Sequence, residues 1–171
     1  MTARIQFISP IVVVLALSLP VNVRGGEEKV SIDKLPKPVV DAVKAKFPEA
    51  ELVGGSKEDE EGKVLYEVSL KDKGQKVDVE LTAEGKIVVI EKTIAEKELP
   101  TEVTAGLKAK HPRGKIKKAE QIIKEDKVVA YELVVTAGRR KQRTWEVTFD
   151  PSGKFVREEE KKAKEKQEKE D

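Results

Sequence analysis

Few residues in this sequence are equipped for chemistry. His111 is the sole histidine, so a Ser-His-Asp triad would have to use it as the base. It stands at an apolar helical position, matched by Phe47 earlier in the chain and followed by Pro112, where a packed or capping imidazole is the ordinary role. No Gly-x-Ser-x-Gly elbow accompanies it, and the absence of cysteine excludes disulfides, thiolate nucleophiles and thiolate metal sites. The residues therefore read as non-enzymatic, with no catalytic, metal or cofactor group expected.

Four further groups of residues have chemical colour. Gly54-Gly55-Ser56-Lys57 has the composition of a phosphate loop without its Gly-x-x-x-x-Gly-Lys-Ser/Thr spacing, and reads as a plain loop. Glu58-Asp59-Glu60-Glu61 could attract a hard cation but lacks alternating ligand spacing, so a solvated turn is expected. Glu67 and Glu132 recur at matched positions and mark the polar face of a strand. The basic run Arg139, Arg140, Lys141 and Arg143 leads directly to Trp145. Arginine supplies planar bidentate donors and tryptophan a large contact area, so these five residues are the candidate partner-binding site, toward an acidic protein surface or an anionic envelope polymer. In the ordinary alternative the cations are solvated and Trp145, matching Val77, turns into the core.

The elements that must position these groups come in two copies. Leu35-Pro36 recurs as Leu99-Pro100, Tyr66-Glu67-Val68 as Tyr131-Glu132-Leu133, and the turn at Gly85-Lys86 as Gly153-Lys154. Each copy opens with a helix, marked by Val39, Val43 and Phe47 in the first and by Val103, Leu107 and His111 in the second. Pro48 and Pro112 end these helices, Pro38 suits an early helical position, and Thr101 is the expected N-cap. Gly106 weakens the second helix unless close packing requires it. Period-two stretches follow. They are Val64 to Leu70 and Val77 to Leu81, then Ile87 and Val89; Val129 to Val135 and Trp145 to Phe149 match in the second copy, with further strands near Glu51 to Lys57 and Ile116 to Lys124. The expected fold class is α+β, with each short helix packed on one face of antiparallel sheet. A unit of roughly 60 residues is marginal alone, so the two are expected to pack together and could share one sheet.

Composition sets the surroundings. Aromatics are 4% of the chain, so aliphatic side chains must build the core. Residues 1–25 follow the secretory pattern: Arg4, an apolar stretch from Ile11 to Leu19, Pro20, then Gly25-Gly26. Removing that leader takes Arg4 and Arg24 from 34 bases and balances the rest against 32 acids, which removes the global argument for nucleic acid. The copies differ in charge. Residues 35–92 hold 10 bases and 13 acids, whereas 99–156 hold 13 and 7. Segment 158–171 is almost wholly charged with no apolar face, and is expected to be a flexible or transiently helical tail.

Leu35-Pro36, Val39, Phe47-Pro48, Tyr66-Glu67-Val68, Val79-Glu80-Leu81 and Gly85-Lys86-Ile87, repeated from Leu99, resemble the PepSY-like, β-lactamase-inhibitor-like domains of exported bacterial proteins. The resemblance covers about residues 30–157 and implies a tandem α+β unit, 30–92 and 93–157, in the bacterial envelope. It implies protein binding or inhibition and supplies no catalytic residues. His111 in place of Phe47's counterpart and the long basic 136–144 loop depart from the pattern. The sequence thus points to an exported periplasmic or secreted binding protein, an inhibitor or modulator of an envelope hydrolase. The alternatives are a small-ligand or cation-binding sensor module and an envelope structural protein.

Overall fold

Val39 and Val43 are four residues apart, one helical turn, and both are fully buried. They anchor α1 (Lys37–Lys46), and Val103 and Leu107 do the same for α2 (Thr101–Lys110). In the computed structural model, which describes residues 28–60, 63–138 and 142–161, these two helices accompany a nine-stranded antiparallel sheet. The fold is α+β. The strands are β1 (Glu28–Val30), β2 (Glu51–Glu60), β3 (Lys63–Asp72), β4 (Gln75–Thr82), β5 (Ile87–Ile94), β6 (Lys115–Lys124), β7 (Lys127–Ala137), β8 (Arg143–Phe149) and β9 (Phe155–Lys161). They lie side by side in chain order, with α1 between β1 and β2 and α2 between β5 and β6. A 3₁₀ turn precedes each helix, at Ile32–Lys34 and Glu96–Glu98.

Alternation explains the strands. Val68 and Leu70 on β3, and Val77, Val79 and Leu81 on β4, are fully buried with Val39 and Val43 in one cluster that also takes Leu35 and Ile90. A second cluster joins Ile94, Leu99, Val103 and Leu107 to Ala119, Leu133, Val135, Val147 and Phe149. Phe149 is the one aromatic among the fully buried side chains of the described residues, so aliphatic burial, at roughly 1.5–3 kcal/mol per side chain, carries the core. The β3–β4 hairpin closes on Lys73-Gly74 with both φ positive, the geometry that matches strand twist. The β6–β7 hairpin does the same with Glu125-Asp126, at φ 49° and 61°.

Several expectations need correction. Thr101 is the first helical residue of α2 and not its cap; Pro100 occupies that place, because its carbonyl accepts the N–H of Thr104. Gly54-Gly55-Ser56-Lys57 is strand and not loop. Gly55 sits beneath Leu35, where an added Cβ would come within 3.0 Å of that side chain. Glu58, Asp59 and Glu60 continue β2, and Glu60 pairs with Lys63 to close the hairpin. Residues 158–161, expected to begin a tail, complete β9 by pairing with β8. The leader, residues 1–25, and residues 162–171 lie outside the described residues.

Candidate functional site

Directly paired residues of an antiparallel ladder share a face of the sheet. Val68 pairs with Val79 and Val79 with Ile90 on the apolar side. The alternate positions make the other side. There Glu67 pairs with Glu80, Ser69 with Asp78, Asp78 with Glu91, Thr93 with Glu120, Glu120 with Glu132, and Glu132 with Thr148. Three of these pairs set acid against acid, an arrangement that destabilises a sheet. Val89, Ile122 and Ala130 form a buried apolar floor on this side, and neither helix contributes a residue to that cluster.

The environment of these carboxylates is unusual. Asp78 accepts hydrogen bonds from Ser69 Oγ (2.5 Å) and Lys76 Nζ (2.7 Å), and the Asp78 bond in turn raises the Lys76 ammonium's pKa. Glu120, 3% exposed, meets Lys118 Nζ at 2.6 Å and accepts a long bond from Thr93 Oγ1 (3.4 Å). Burial, then the negative charges of Glu120, Glu67 and Asp78, push Glu91 up to about 7 against the opposing pull of Lys118. Burial, then Glu146 and Glu91, push Glu132 to about 7 as well, although Arg157 donates to it at 3.3 Å. Lys76, Lys118 and Arg157 bridge Asp78, Glu120 and Glu132 on this face, and a neutral pH leaves Glu91 and Glu132 partly protonated.

Oxygens of Asp78, Glu91 and Glu120 lie within 4.8 Å of one another, close enough for one divalent cation to gather them. Lys76 and Lys118 already neutralise two of the three. At the junction of α1, β5 and the β6–β7 turn is a cleft of about 200 Å³, lined by Lys46, Ile87, Ile90, Ile123, Glu125 and Asp126, with Lys46 and Asp126 ion-paired across it. That is below the roughly 300 Å³ at which ordinary ligand pockets begin.

The residues marked in the sequence lie elsewhere. Arg139, Arg140 and Lys141 are outside the described residues. Arg143 pairs with Glu160 at 3.2 Å. Trp145, opposite Val135, is partly buried against the α2 cluster, with its ring 6.0 Å from that of His111. His111 Nε2 is 2.9 Å from Glu158 Oε2, while Lys110 Nζ is 3.0 Å from Glu158 Oε1 and 3.7 Å above the Phe155 ring. Burial opposes the Glu158 charge, but the hydrogen bonds from Lys110 and His111 prevail and hold its carboxyl below the usual range. His111 thus joins the end of α2 to β9. Sequence reasoning missed the carboxylate face as a site: Glu67 and Glu132 read only as marking the polar face of a strand, and Asp78, Glu80, Glu91 and Glu120 were given no role. Their only signal was repeated acid at alternate positions of successive strands.

A family model described as "Putative beta-lactamase-inhibitor-like, PepSY-like" matches residues 21–89 and 64–157. No curated protein matches the chain. Among solved structures, a DUF2874 family protein from Bacteroides uniformis aligns with TM-score 0.59 and 18% identity, covering 73% of this chain and 88% of its own. A protein of Bacteroides eggerthii inferred to be periplasmic aligns with TM-score 0.60 and 17% identity, over 73% and 88%. A BLIP-like protein from Bacteroides fragilis gives 0.55 and 17%, over 72% and 84%. At these identities the structures share the fold alone. The two matched regions together span most of the sequence, and the chain belongs to the PepSY-like family.

Proposed function

We propose that this chain is an exported, non-enzymatic protein of the bacterial envelope that binds another protein, as an inhibitor or modulator of an envelope hydrolase. The observation that carries the reading is the row of acid pairs on the sheet side opposite Val68, Val79 and Ile90. Glu67 with Glu80, Asp78 with Glu91 and Glu120 with Glu132 set like charges directly opposite one another, and a cationic partner would be attracted to such a row. The leader pattern of residues 1–25 and the periplasmic inference for the Bacteroides eggerthii neighbour support export. The BLIP-like neighbour supports protein binding.

The same reading takes the chain as two tandem units, each a helix followed by four strands, with both helices on one face. Supporting it, Ile90 of the α1 cluster and Ile94 of the α2 cluster alternate on β5, and the ladder continues through Ala119, Leu133 and Val147. The turn glycines agree, since Gly85 lies under Pro38 of α1 as Gly153 lies under Glu102 of α2. The basic tip of Arg139, Arg140, Lys141 and Arg143, with Trp145, is proposed as a second contact on the same partner; reversing its charges should slow association and flatten the salt dependence.

The test is to incubate the mature chain with envelope extract of its source organism, identify what is retained at low and high salt, and remeasure binding and hydrolase inhibition with the purified candidate. Direct binding with slowed hydrolysis is the expected result. Retention of nothing that rebinds in purified form would defeat the reading. The rival cation-sensor reading draws on the Asp78, Glu91 and Glu120 oxygens, and a rise in melting temperature with calcium would favour it.

A further inference from the structure

We infer that Glu158, held by Lys110 and His111, is an intramolecular stop that closes the edge of β9 against strand addition by a second copy of this chain. The inference rests on the tandem part of the reading above and not on what the chain binds; it adds what ends the array.

Strand register supplies the correspondence between the halves. β1 pairs Lys29 with Ser56 and Val30 with Gly55, and β5 pairs Thr93 with Glu120 and Ile94 with Ala119, each residue 64 positions further on. β4 and β5 shift register after Glu80, where Leu81 meets Ile87; β8 and β9 do so after Thr148, where Phe149 meets Phe155. Phe155 therefore stands in the place of Ile87, and Glu158 in that of Ile90. The outer edge of β5 is filled: Ile90 pairs with Ile123 of β6, Phe47 packs on the same cluster as Ile90, and Lys46 at the end of α1 is ion-paired with Asp126 in the β6–β7 turn. The outer edge of β9 meets no strand among the described residues. There His111 replaces Phe47 and Glu158 replaces Ile90, while the lysine at the helix end stands in both halves. Glu158 Oε1 lies 3.0 Å from Lys110 Nζ, and its Oε2 lies 2.9 Å from His111 Nε2. From its own strand, Glu158 thus gives Lys110 the carboxylate that Lys46 receives from the next hairpin. Lys110 also covers the Phe155 ring at 3.7 Å, whereas Ile87 shares a cleft with Ile123 of the seated hairpin.

A second copy is the occupant this edge would otherwise take. Phe155 and Val156 are 39% and 41% exposed, and an edge strand offers unpaired backbone groups to another chain. In an antiparallel β9 pair centred on residue 158, Arg157 faces Glu159 of the second copy on both flanks, which is a compatible arrangement. At the centre Glu158 meets its own copy, acid against acid, and the added strand takes the contact of Lys110, Glu158 and His111 out of water. That centre is what stops the pairing. Capping of this kind is what a short array of stacked units needs to remain soluble.

The experiment compares the full mature chain with the double variant His111→Phe, Glu158→Ile, which gives the second half the residues of the first. Sedimentation velocity over a range of concentrations reads the oligomer, and hydrogen exchange over residues 155–161 reads whether β9 is the contact. The parent should sediment as a monomer. The double variant should dimerise, with exchange in 155–161 about tenfold slower than in the parent. Glu158→Gln removes the charge at nearly constant volume and should dimerise at higher concentration; it decides the matter if the double variant does not fold. A folded double variant that stays monomeric, a dimer whose exchange in 155–161 is unchanged, or a parent that already dimerises through β9 would overturn the inference. Failure of the tandem reading has a separate signature. Where the halves correspond, Phe47→His brings a histidine to Ile90→Glu, and the two changes together should lower the melting temperature less than the sum of their separate effects. Simple additivity there would remove the correspondence, whereas coupling there beside a monomeric double variant would remove only the stop.

Discussion

Glu91 and Glu132 contain the sharpest residue-level consequence. Each has a folded-state pKa of about 7 against an ordinary value of 4.5, so between those values the folded state holds protons that the unfolded state has released. The contribution of these two groups to stability is accordingly greatest below about pH 4.5, declines as pH rises toward about 7 and is flat above, on the order of 3 kcal/mol for either group taken alone. Glu91→Gln should raise stability by about 1–3 kcal/mol at pH 8 and change it little near pH 4; urea denaturation at the two pH values checks this. A gain of equal size at both pH values would show that charge is not the cause. Glu158 has the opposite sign. Its carboxyl is held low by Lys110 and His111, so that contribution is present above its ordinary value and is lost as pH falls through the folded value. His111 was legible in the sequence as a structural residue because it occupied the apolar place of Phe47; its carboxylate partner was not, since Glu158 lies 47 residues away in a segment read as tail.

At the scale of elements, α2 and the β8–β9 turn approach each other closely at two glycines. Asp150 Oδ1 accepts from the N–H groups of Ser152 and Lys154 and from the Ser152 hydroxyl, and these bonds, the hydroxyl's foremost, hold its carboxyl below the usual range. The turn then presents Gly153 at φ 80° to the helix, where an added Cβ would fall 2.1 Å from the Glu102 carbonyl oxygen. Gly106 faces it from α2, and a Cβ there would fall 2.3 Å from the Gly153 carbonyl oxygen. Gly153→Ala should therefore cost about 2–4 kcal/mol, and Gly106→Ala should also destabilise despite alanine's better helix propensity of about 1 kcal/mol. Thermal unfolding decides it, and a Gly106→Ala protein more stable than the parent would contradict the packing. The sequence marked Gly106 as anomalous, and its reason is this contact. Alternation made β3, β4, β7 and β8 legible because each buries one face. The 3-residue β1 and the charged β9 lie at the sheet edges, bury little of their own, and are strands only because β2 and β8 offer them a ladder.

At the scale of the molecule, the β5–β6 ladder joins the two halves. Ile90 pairs with Ile123 and Ile94 with Ala119, and the two isoleucines feed different core clusters from one strand. One cooperative unfolding transition is expected for the full chain. Ile94→Ala should cost about 2–4 kcal/mol and lower hydrogen-exchange protection in both halves; a loss confined to the α2 half would mean that the halves unfold independently. A fragment ending at Ile94 would leave β5 as an unpaired edge and should self-associate, which sedimentation would reveal.

The sequence by itself determined the α+β class, both helices, the period of the main strands and the PepSY-like resemblance, because each depends on local spacing of apolar residues and turn formers. Only tertiary structure decided that the strands join in one sheet of nine, that Trp145 turns toward His111, and that scattered acids become opposed pairs. Strand pairing sets these outcomes. It brings together residues whose separation along the chain carries no information about which of them will share a face.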